Sequence, residues 1–133
     1  MNRAVFALLA AALSGPALGA WEAVFRTGEA TIYTESSQPS GTGTIRVREL
    51  WDYREPQDAD PGQKIKSHRS QVFRADYDCR KATVRVLEIA FFAKAMGQGE
   101  KAGLLTWDAK DAEAVQPIKA ATVADAIRKR VCR

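Results

Sequence analysis

The sequence predicts an α+β fold: a small antiparallel β-sheet of about five or six strands with a C-terminal α-helix docked on it and tied to it by a disulfide. Three observations lead to this prediction. Apolar and polar residues alternate through the middle of the chain, helical spacing is confined to its last dozen residues, and the two cysteines lie one in each region. A length of 133 residues with 46% hydrophobic content fits a single core.

The first twenty residues predict a signal peptide. Arg3 supplies the positive start, residues 4–13 are apolar, and small residues follow, with cleavage expected after Gly19 or Ala20. An uncleaved membrane anchor is the alternative, but ten helical residues rise only about 15 Å against roughly 30 Å of hydrocarbon. We therefore expect an exported chain without a transmembrane segment, in which residues 21–133 form one domain. No cysteine lies in the first twenty residues, so a lipid has no residue to attach to there.

Composition excludes several classes of function. Without Arg3 the chain carries 19 basic and 16 acidic side chains, a net charge of +3, which is too little for a nucleic-acid-binding surface. One histidine and two cysteines are too few for a structural zinc site. The acidic cluster of Asp52, Glu55, Asp58 and Asp60 lacks the spacing of a calcium loop, and weak adventitious calcium binding is the alternative there. We predict no cofactor, no metal site and no nucleic-acid partner.

The pattern of apolar residues predicts three long strands. In residues 70–79 the apolar side chains occupy alternate positions, so they share one side of the strand, which is expected to face the core. The side chains between them, beginning with Ser70, are expected to face solvent. Residues 44–53 alternate likewise, but Glu49 interrupts the apolar row, and we expect a bulge or bend there. Residues 83–92 carry apolar side chains on both sides of the strand, which predicts a central strand covered on both faces. Shorter candidate strands are residues 21–25, 30–33 and 103–107.

Turn residues separate these strands. Residues 38–41 and 56–62 combine proline and glycine with polar side chains, which predicts loops with hairpin geometry. Residues 97–102 match the G-x-G-x-x-A form of the dinucleotide-binding fingerprint. The residues that follow are typical of a strand and not of a helix, so we predict a glycine-rich hairpin turn instead of a nucleotide site.

One short helix is predicted at the C-terminus. Thr122 and Asp125 have the spacing of a capping box, and apolar residues then recur at helical intervals through Ile127 and Val131. A helix of nine or ten residues is marginal alone in water. Its apolar stripe is therefore expected to dock on the sheet.

The two cysteines, Cys79 and Cys132, predict one disulfide. Exported proteins oxidise their thiols, and this pair would join the end of a strand to the end of the helix. A reactive thiol pair and an intermolecular bridge are the alternatives. The first does not fit the spacing, which is far from C-x-x-C.

We predict no catalytic residues. His68 is the sole histidine and lies beside two hydroxyl groups, and Asp76 and Asp78 share a strand face nearby, so a Ser–His–Asp relay is the enzymatic alternative. The stretch around His68 is polar, however, and predicts a solvated histidine at the start of a strand. The sequence shows no sharp turn to carry a nucleophile.

Arginines form the candidate binding site. Alternation points Arg46, Arg48 and Arg74 away from the apolar row, and with Arg69 they predict a basic face for a protein or an anionic glycan. Interspersed acidic residues leave a solvated, non-binding face as the alternative.

The order of several residues resembles the surface-adhesin protein E family of Gram-negative bacteria. The resemblance implies an antiparallel sheet with a C-terminal helix held by the Cys79–Cys132 bridge, adhesion to host matrix proteins, and a homodimer. We therefore expect an exported, non-catalytic binding protein at the periplasm or cell surface; a periplasmic structural or inhibitor protein that binds another exported protein is the alternative. The matching residues are Trp21, 50–53, Ser70, 76–79, 96–99, Trp107 and Cys132.

Overall fold

The computed structural model describes residues 21–133, and the predicted signal peptide lies outside them. The described chain forms one antiparallel sheet of eight strands and one α-helix. The strands are β1 Glu22–Arg26, β2 Ala30–Thr34, β3 Gln38–Gly41, β4 Thr44–Gln57, β5 His68–Asp78, β6 Thr83–Phe92, β7 Lys101–Thr106 and β8 Val115–Pro117, and the helix is α1 Val123–Val131. The predicted fold class is confirmed.

The strand order is β1-β2-β4-β5-β6-β7, with β3 paired to one end of β4 and β8 to one end of β6. All six predicted strands are present, while β3 and β8 were not predicted. Both are short, and β3 contains Pro39 and Gly41, whose turn chemistry predicted a loop. The segment is extended because it pairs with the long strand β4. The backbone N–H and C=O groups of β4 provide hydrogen-bond partners that the segment would not have as an isolated turn.

The main core lies between the sheet and α1. Ile127 of α1 is completely buried, so the helix docks on the sheet as predicted. Thr122 accepts a hydrogen bond from the Asp125 backbone N–H at 3.2 Å, which confirms the predicted cap. The buried residues of this core are Ala30, Ile32, Val47, Ala75, Tyr77, Val84 and Ile127.

The disulfide between Cys79 and Cys132 is confirmed. It joins the residue after β5 to the residue after α1, with a Cα–Cα distance of 5.6 Å. No free cysteine occurs in residues 21–133. The bridge closes a segment of 53 residues, so it removes much of the conformational freedom of the unfolded chain.

Strand β6 has neighbours on both sides, as its apolar pattern predicted. It pairs with β5 along its length and with β7 and β8 on the other side. Val84 contributes to the main core. Near its other end, Phe91 packs with Ile65 and Ala102 in a second, smaller cluster.

The expected bulge at Glu49 is wrong. The pairing of β4 with β5 runs in register through Glu49 and Phe73, and the irregularity lies further along, between Asp52 and Gln57. Glu49 continues the inward row and is only 6% exposed. The strand accepts this buried carboxyl because the Tyr77 hydroxyl donates a hydrogen bond to it at 3.1 Å.

The expectation that Ser70 faces solvent is also wrong, because Ser70 is completely buried. The segment between β6 and β7 folds over the sheet face opposite α1. There the Ser70 hydroxyl donates to the Lys94 carbonyl at 2.6 Å and accepts from the Gly97 backbone N–H at 2.9 Å. Gly97 has φ +67°, and a Cβ at this position would lie 3.2 Å from a methyl group of Val72. The two faces of the sheet are thus covered at different ends, one by α1 and the other by the segment between β6 and β7.

Candidate binding surface

Three of the four predicted arginines share one patch of the sheet. Arg46 and Arg48 on β4 and Arg74 on β5 are exposed, while the alternating residues Val47 and Ala75 are completely buried in the core. Arg46, Arg48 and Arg74 therefore lie on the face opposite α1, and we call them the arginine face. Residues directly opposite on antiparallel strands have Cβ atoms about 5 Å apart, and Arg48 is directly opposite Arg74.

The three guanidinium groups differ in their partners. Arg46 forms a bidentate ion pair with Asp76, at 2.9 and 3.0 Å. Arg48 Nη1 lies 2.8 Å from Glu35 Oε2. Within residues 21–133, no carboxylate oxygen lies within ion-pair distance of the Arg74 guanidinium. Arg74 is therefore the cation of this face that is available to an external anion.

A shallow cavity of about 220 Å³ opens on this face. Polar and charged side chains supply its walls, so it suits an anionic or strongly hydrated group more than an apolar one. The sequence analysis missed Glu35, Ser36 and Gln38, because the pairing of β2 and of β3 with β4 brings them here. The lining residues are Glu35, Ser36, Gln38, Arg46, Arg48 and Arg74.

Trp21 also contacts this face. The Arg48 guanidinium carbon lies 5.5 Å from the centroid of the Trp21 ring, within the range of a cation–π contact. Arg48 is thus held between an aromatic ring and the Glu35 carboxylate. This arrangement fixes the position of the guanidinium while leaving 52% of the side chain exposed.

Arg69, the fourth predicted site residue, does not join the arginine face. It lies five residues from Arg74 along β5, roughly 17 Å at the rise of a strand. Its guanidinium donates hydrogen bonds to the carbonyls of Tyr53 and Arg54, at 3.2 and 2.8 Å. These carbonyls lie where β4 and β5 leave register, so Arg69 satisfies backbone groups that have lost their strand partners.

The expectation that His68 is solvated is wrong. His68 is only 6% exposed and its ring packs edge-on against Phe91, with centroids 4.8 Å apart. The two ring nitrogens lie 3.0 Å from the Lys66 carbonyl and 3.3 Å from the Gln71 side-chain amide. The hydroxyl of Ser70 is bonded to Lys94 and Gly97, so the structure does not assemble the relay that the sequence suggested.

Other candidate motifs have structural explanations. The glycine-rich segment joins the antiparallel strands β6 and β7, as predicted for a hairpin turn, and it does not lie in the βαβ unit of a nucleotide site. Across residues 21–133, no three His, Cys, Asp or Glu side chains are grouped so that they could hold a metal ion. In the same range no helix is both long and apolar enough to cross a bilayer.

Comparison with known proteins places this fold. No curated protein sequence matches the chain significantly. The solved structure of Haemophilus influenzae protein E is similar, with a TM-score of 0.61 at 12% sequence identity over 84% of this chain and 83% of that chain. The model of the family Surface-adhesin protein E matches residues 21–133, all of the described chain. The chain therefore belongs to the Surface-adhesin protein E family.

Proposed function

We propose that this protein is an exported, non-catalytic binding protein of the adhesin type, and that the arginine face contacts its ligand. Family membership supports adhesin-like binding at the cell surface. The arginine face supplies the chemistry, since guanidinium groups bind carboxylate, sulfate and phosphate oxygens through charge-assisted hydrogen bonds.

The single observation that carries this proposal is the position of Arg74 opposite Arg48. Like charges directly opposite on neighbouring strands destabilise a sheet. Glu88, the partner of Arg74 on β6, does not come within ion-pair distance of it in the described chain. An anion placed between the two guanidinium groups would relieve their repulsion. The ligand is therefore a protein with acidic groups or an anionic glycan.

Binding to immobilised ligands tests this function. We expect the purified residues 21–133 to be retained on host matrix protein or on an anionic glycan, with retention that weakens as salt screens the charges. Arg74→Gln should lower retention, whereas Arg26→Gln, an exposed arginine at the far end of β1, should not. Equal retention of both variants would remove the arginine face from the proposal, and no retention on any ligand would remove adhesion.

A periplasmic structural or inhibitor protein is the second candidate. It is the alternative that the sequence predicts, and family membership does not separate a periplasmic from a cell-surface position. Protease added to intact cells that carry a C-terminally tagged copy separates the two functions. An adhesin is expected to be degraded under these conditions, and a periplasmic protein is expected to be shielded.

Homodimer formation is a further expectation from the family resemblance. Size-exclusion chromatography with light scattering gives the mass of residues 21–133 in solution. A mass of one chain at all concentrations would contradict this expectation. Binding through the arginine face does not depend on it.

A further inference from the structure

We propose that Glu35 is an internal competitor for an oxyanion site formed by Arg48 and Arg74, and that a sulfated polysaccharide is the ligand that displaces it. This inference rests on the proposed binding function and names its ligand and its regulation. Its basis is that Arg48 on β4 and Arg74 on β5 lie directly opposite each other. The Arg48 guanidinium is paired with Glu35, whereas the Arg74 guanidinium has no carboxylate partner among the described residues.

Glu35 is held beside Arg48 by the backbone as well as by charge. Its N–H donates to the Arg48 carbonyl at 3.2 Å, directly beyond the last paired residues of β2 and β4. Its carboxylate therefore has a high local concentration at the Arg48 guanidinium, since no diffusion is needed to reach it. The contact remains partly open to water, however, because the Arg48 and Glu35 side chains are 52% and 20% exposed. An exposed ion pair of this kind is weak enough to exchange for an external anion.

Arg46 does not take part in this exchange. Both of its hydrogen bonds reach the carboxylate of Asp76, its direct partner on β5. A bidentate pair in strand register is the stronger arrangement and holds Arg46 in place. The groups that respond to a ligand are therefore Arg74, which has no carboxylate partner among the described residues, and Arg48, which has an exchangeable one.

The competitor restricts the kind of ligand that can bind. A single external carboxylate is chemically equivalent to Glu35 and lacks its local concentration, so it cannot displace Glu35 efficiently. A polymer with repeated anionic groups can contact Arg74 with one group and hold the next group near Arg48, which gives it a local concentration of its own. The cavity is shallow, so such repeated contacts must replace deep burial.

Sulfate fits this position better than carboxylate. Its three terminal oxygens can accept hydrogen bonds from guanidinium groups on two strands at once, whereas a carboxylate has only two oxygens in one plane. Ser36 and Gln38 line the same cavity and provide neutral hydrogen-bonding groups for sugar hydroxyls. A sulfated polysaccharide combines repeated charge, sulfate oxygens and hydroxyls, which an acidic peptide does not.

Calorimetric titration with matched probes tests the inference on residues 21–133. The probes are a heparin octasaccharide, its desulfated counterpart, which keeps the carboxylates, and a polyglutamate peptide with the charge of the sulfated form. Glu35→Gln is expected to tighten binding of the sulfated probe by about two- to fivefold, because the ion pair with Arg48 no longer has to break. Glu55→Gln removes the same charge from an exposed position outside the arginine face and is expected to change little.

The arginine variants provide the second arm. Arg74→Gln should weaken binding of the sulfated probe by about tenfold or more, since it removes the available cation of the pair, and Arg26→Gln should not. Thermal unfolding of each variant shows whether the fold is kept.

Three results would each overturn the inference. Equal effects of Glu35→Gln and Glu55→Gln would exclude the internal competitor. Polyglutamate or the desulfated probe binding as tightly as the sulfated one would exclude the sulfate assignment. Undiminished binding by Arg74→Gln would exclude the site itself. Retention on matrix protein that Arg74→Gln lowers would leave the proposed binding function standing in any of these cases, so the two failures can be told apart.

Discussion

The Tyr77 hydroxyl donates a hydrogen bond of 3.1 Å to a carboxylate oxygen of Glu49 inside the sheet. Both side chains are buried, and they lie on the neighbouring strands β4 and β5. The two residues are 28 positions apart in the sequence. Burial raises the pKa of Glu49 to about 7, although the hydrogen bond from Tyr77 opposes this change. Burial also raises the pKa of Tyr77, so the phenol stays protonated and remains a donor.

This pair predicts a contribution to stability that is larger at acidic than at basic pH. Protons bind Glu49 more tightly in the folded state, where its pKa is about 7, than in the unfolded chain, where it is 4.5. The contribution of Glu49 to the free energy of unfolding is therefore greatest below pH 4.5 and falls by about 3 kcal/mol as pH rises through 7.

Urea unfolding at several pH values checks the contribution of Glu49. Glu49→Gln keeps an acceptor for the Tyr77 hydroxyl but does not ionise, so its free energy of unfolding should lack this decline. Glu55→Gln, at an exposed position, should keep the wild-type pH profile. Identical profiles for wild type and Glu49→Gln would contradict the prediction.

Ser70→Ala is expected to lower the free energy of unfolding by about 1–3 kcal/mol. The substitution leaves the Gly97 N–H and the Lys94 carbonyl without their bonds to the Ser70 hydroxyl in a covered part of the sheet. Ser67→Ala is the matched control, because its hydroxyl is exposed and should matter by less than about 0.5 kcal/mol. If chemical denaturation gave equal values for both variants, the segment over Ser70 would not depend on this hydroxyl.

Loss of the disulfide is expected to cost about 4 kcal/mol. A closed segment of 53 residues sets this value in the chain-entropy model. The double variant Cys79→Ser, Cys132→Ser should unfold at a lower urea concentration than the oxidised wild type and should match the reduced wild type. Thiol titration of the denatured, non-reduced protein should find no thiol, and two titratable thiols would contradict the bridge.

Thr122→Ala is expected to cost about 1 kcal/mol by removing the cap of α1. The Thr122 hydroxyl accepts the Asp125 N–H, one of the backbone donors that have no partner inside the helix. Thr122→Ser keeps this oxygen and should unfold at nearly the wild-type temperature. A thermal transition that Thr122→Ala leaves unchanged would show that the disulfide and Ile127 alone hold the helix.

Local patterns predicted the elements that depend on local physics. Alternation over residues 70–79 marked one long strand, because successive side chains on a strand point to opposite faces, and a continuous apolar run over residues 83–92 marked a second. Thr122 and Asp125 marked the start of the helix through their spacing alone. In the arginine face, the same alternation placed Arg46, Arg48 and Arg74 on one exposed side.

The register of the strands determines which charged residues lie at the arginine face and which do not. Arg69 has the charge of the other arginines, but it satisfies carbonyls where β4 and β5 leave register, and this shift has no signal in the sequence. Glu35 joins Arg48 only because β2 pairs with β4 in one particular alignment. The residues at such contacts are far apart in sequence, and no local pattern encodes which of them meet.

The sequence by itself determined the fold class, the six main strands, the helix and the disulfide, since periodicity, capping residues and a cysteine count are local or compositional properties. Only the tertiary structure decided that Ser70, Glu49 and His68 are buried. Alternation assigns residues to two faces of a strand but does not say what covers each face, and here a loop covers one and the helix the other. Burial of a polar side chain depends on that cover and on the partner it supplies.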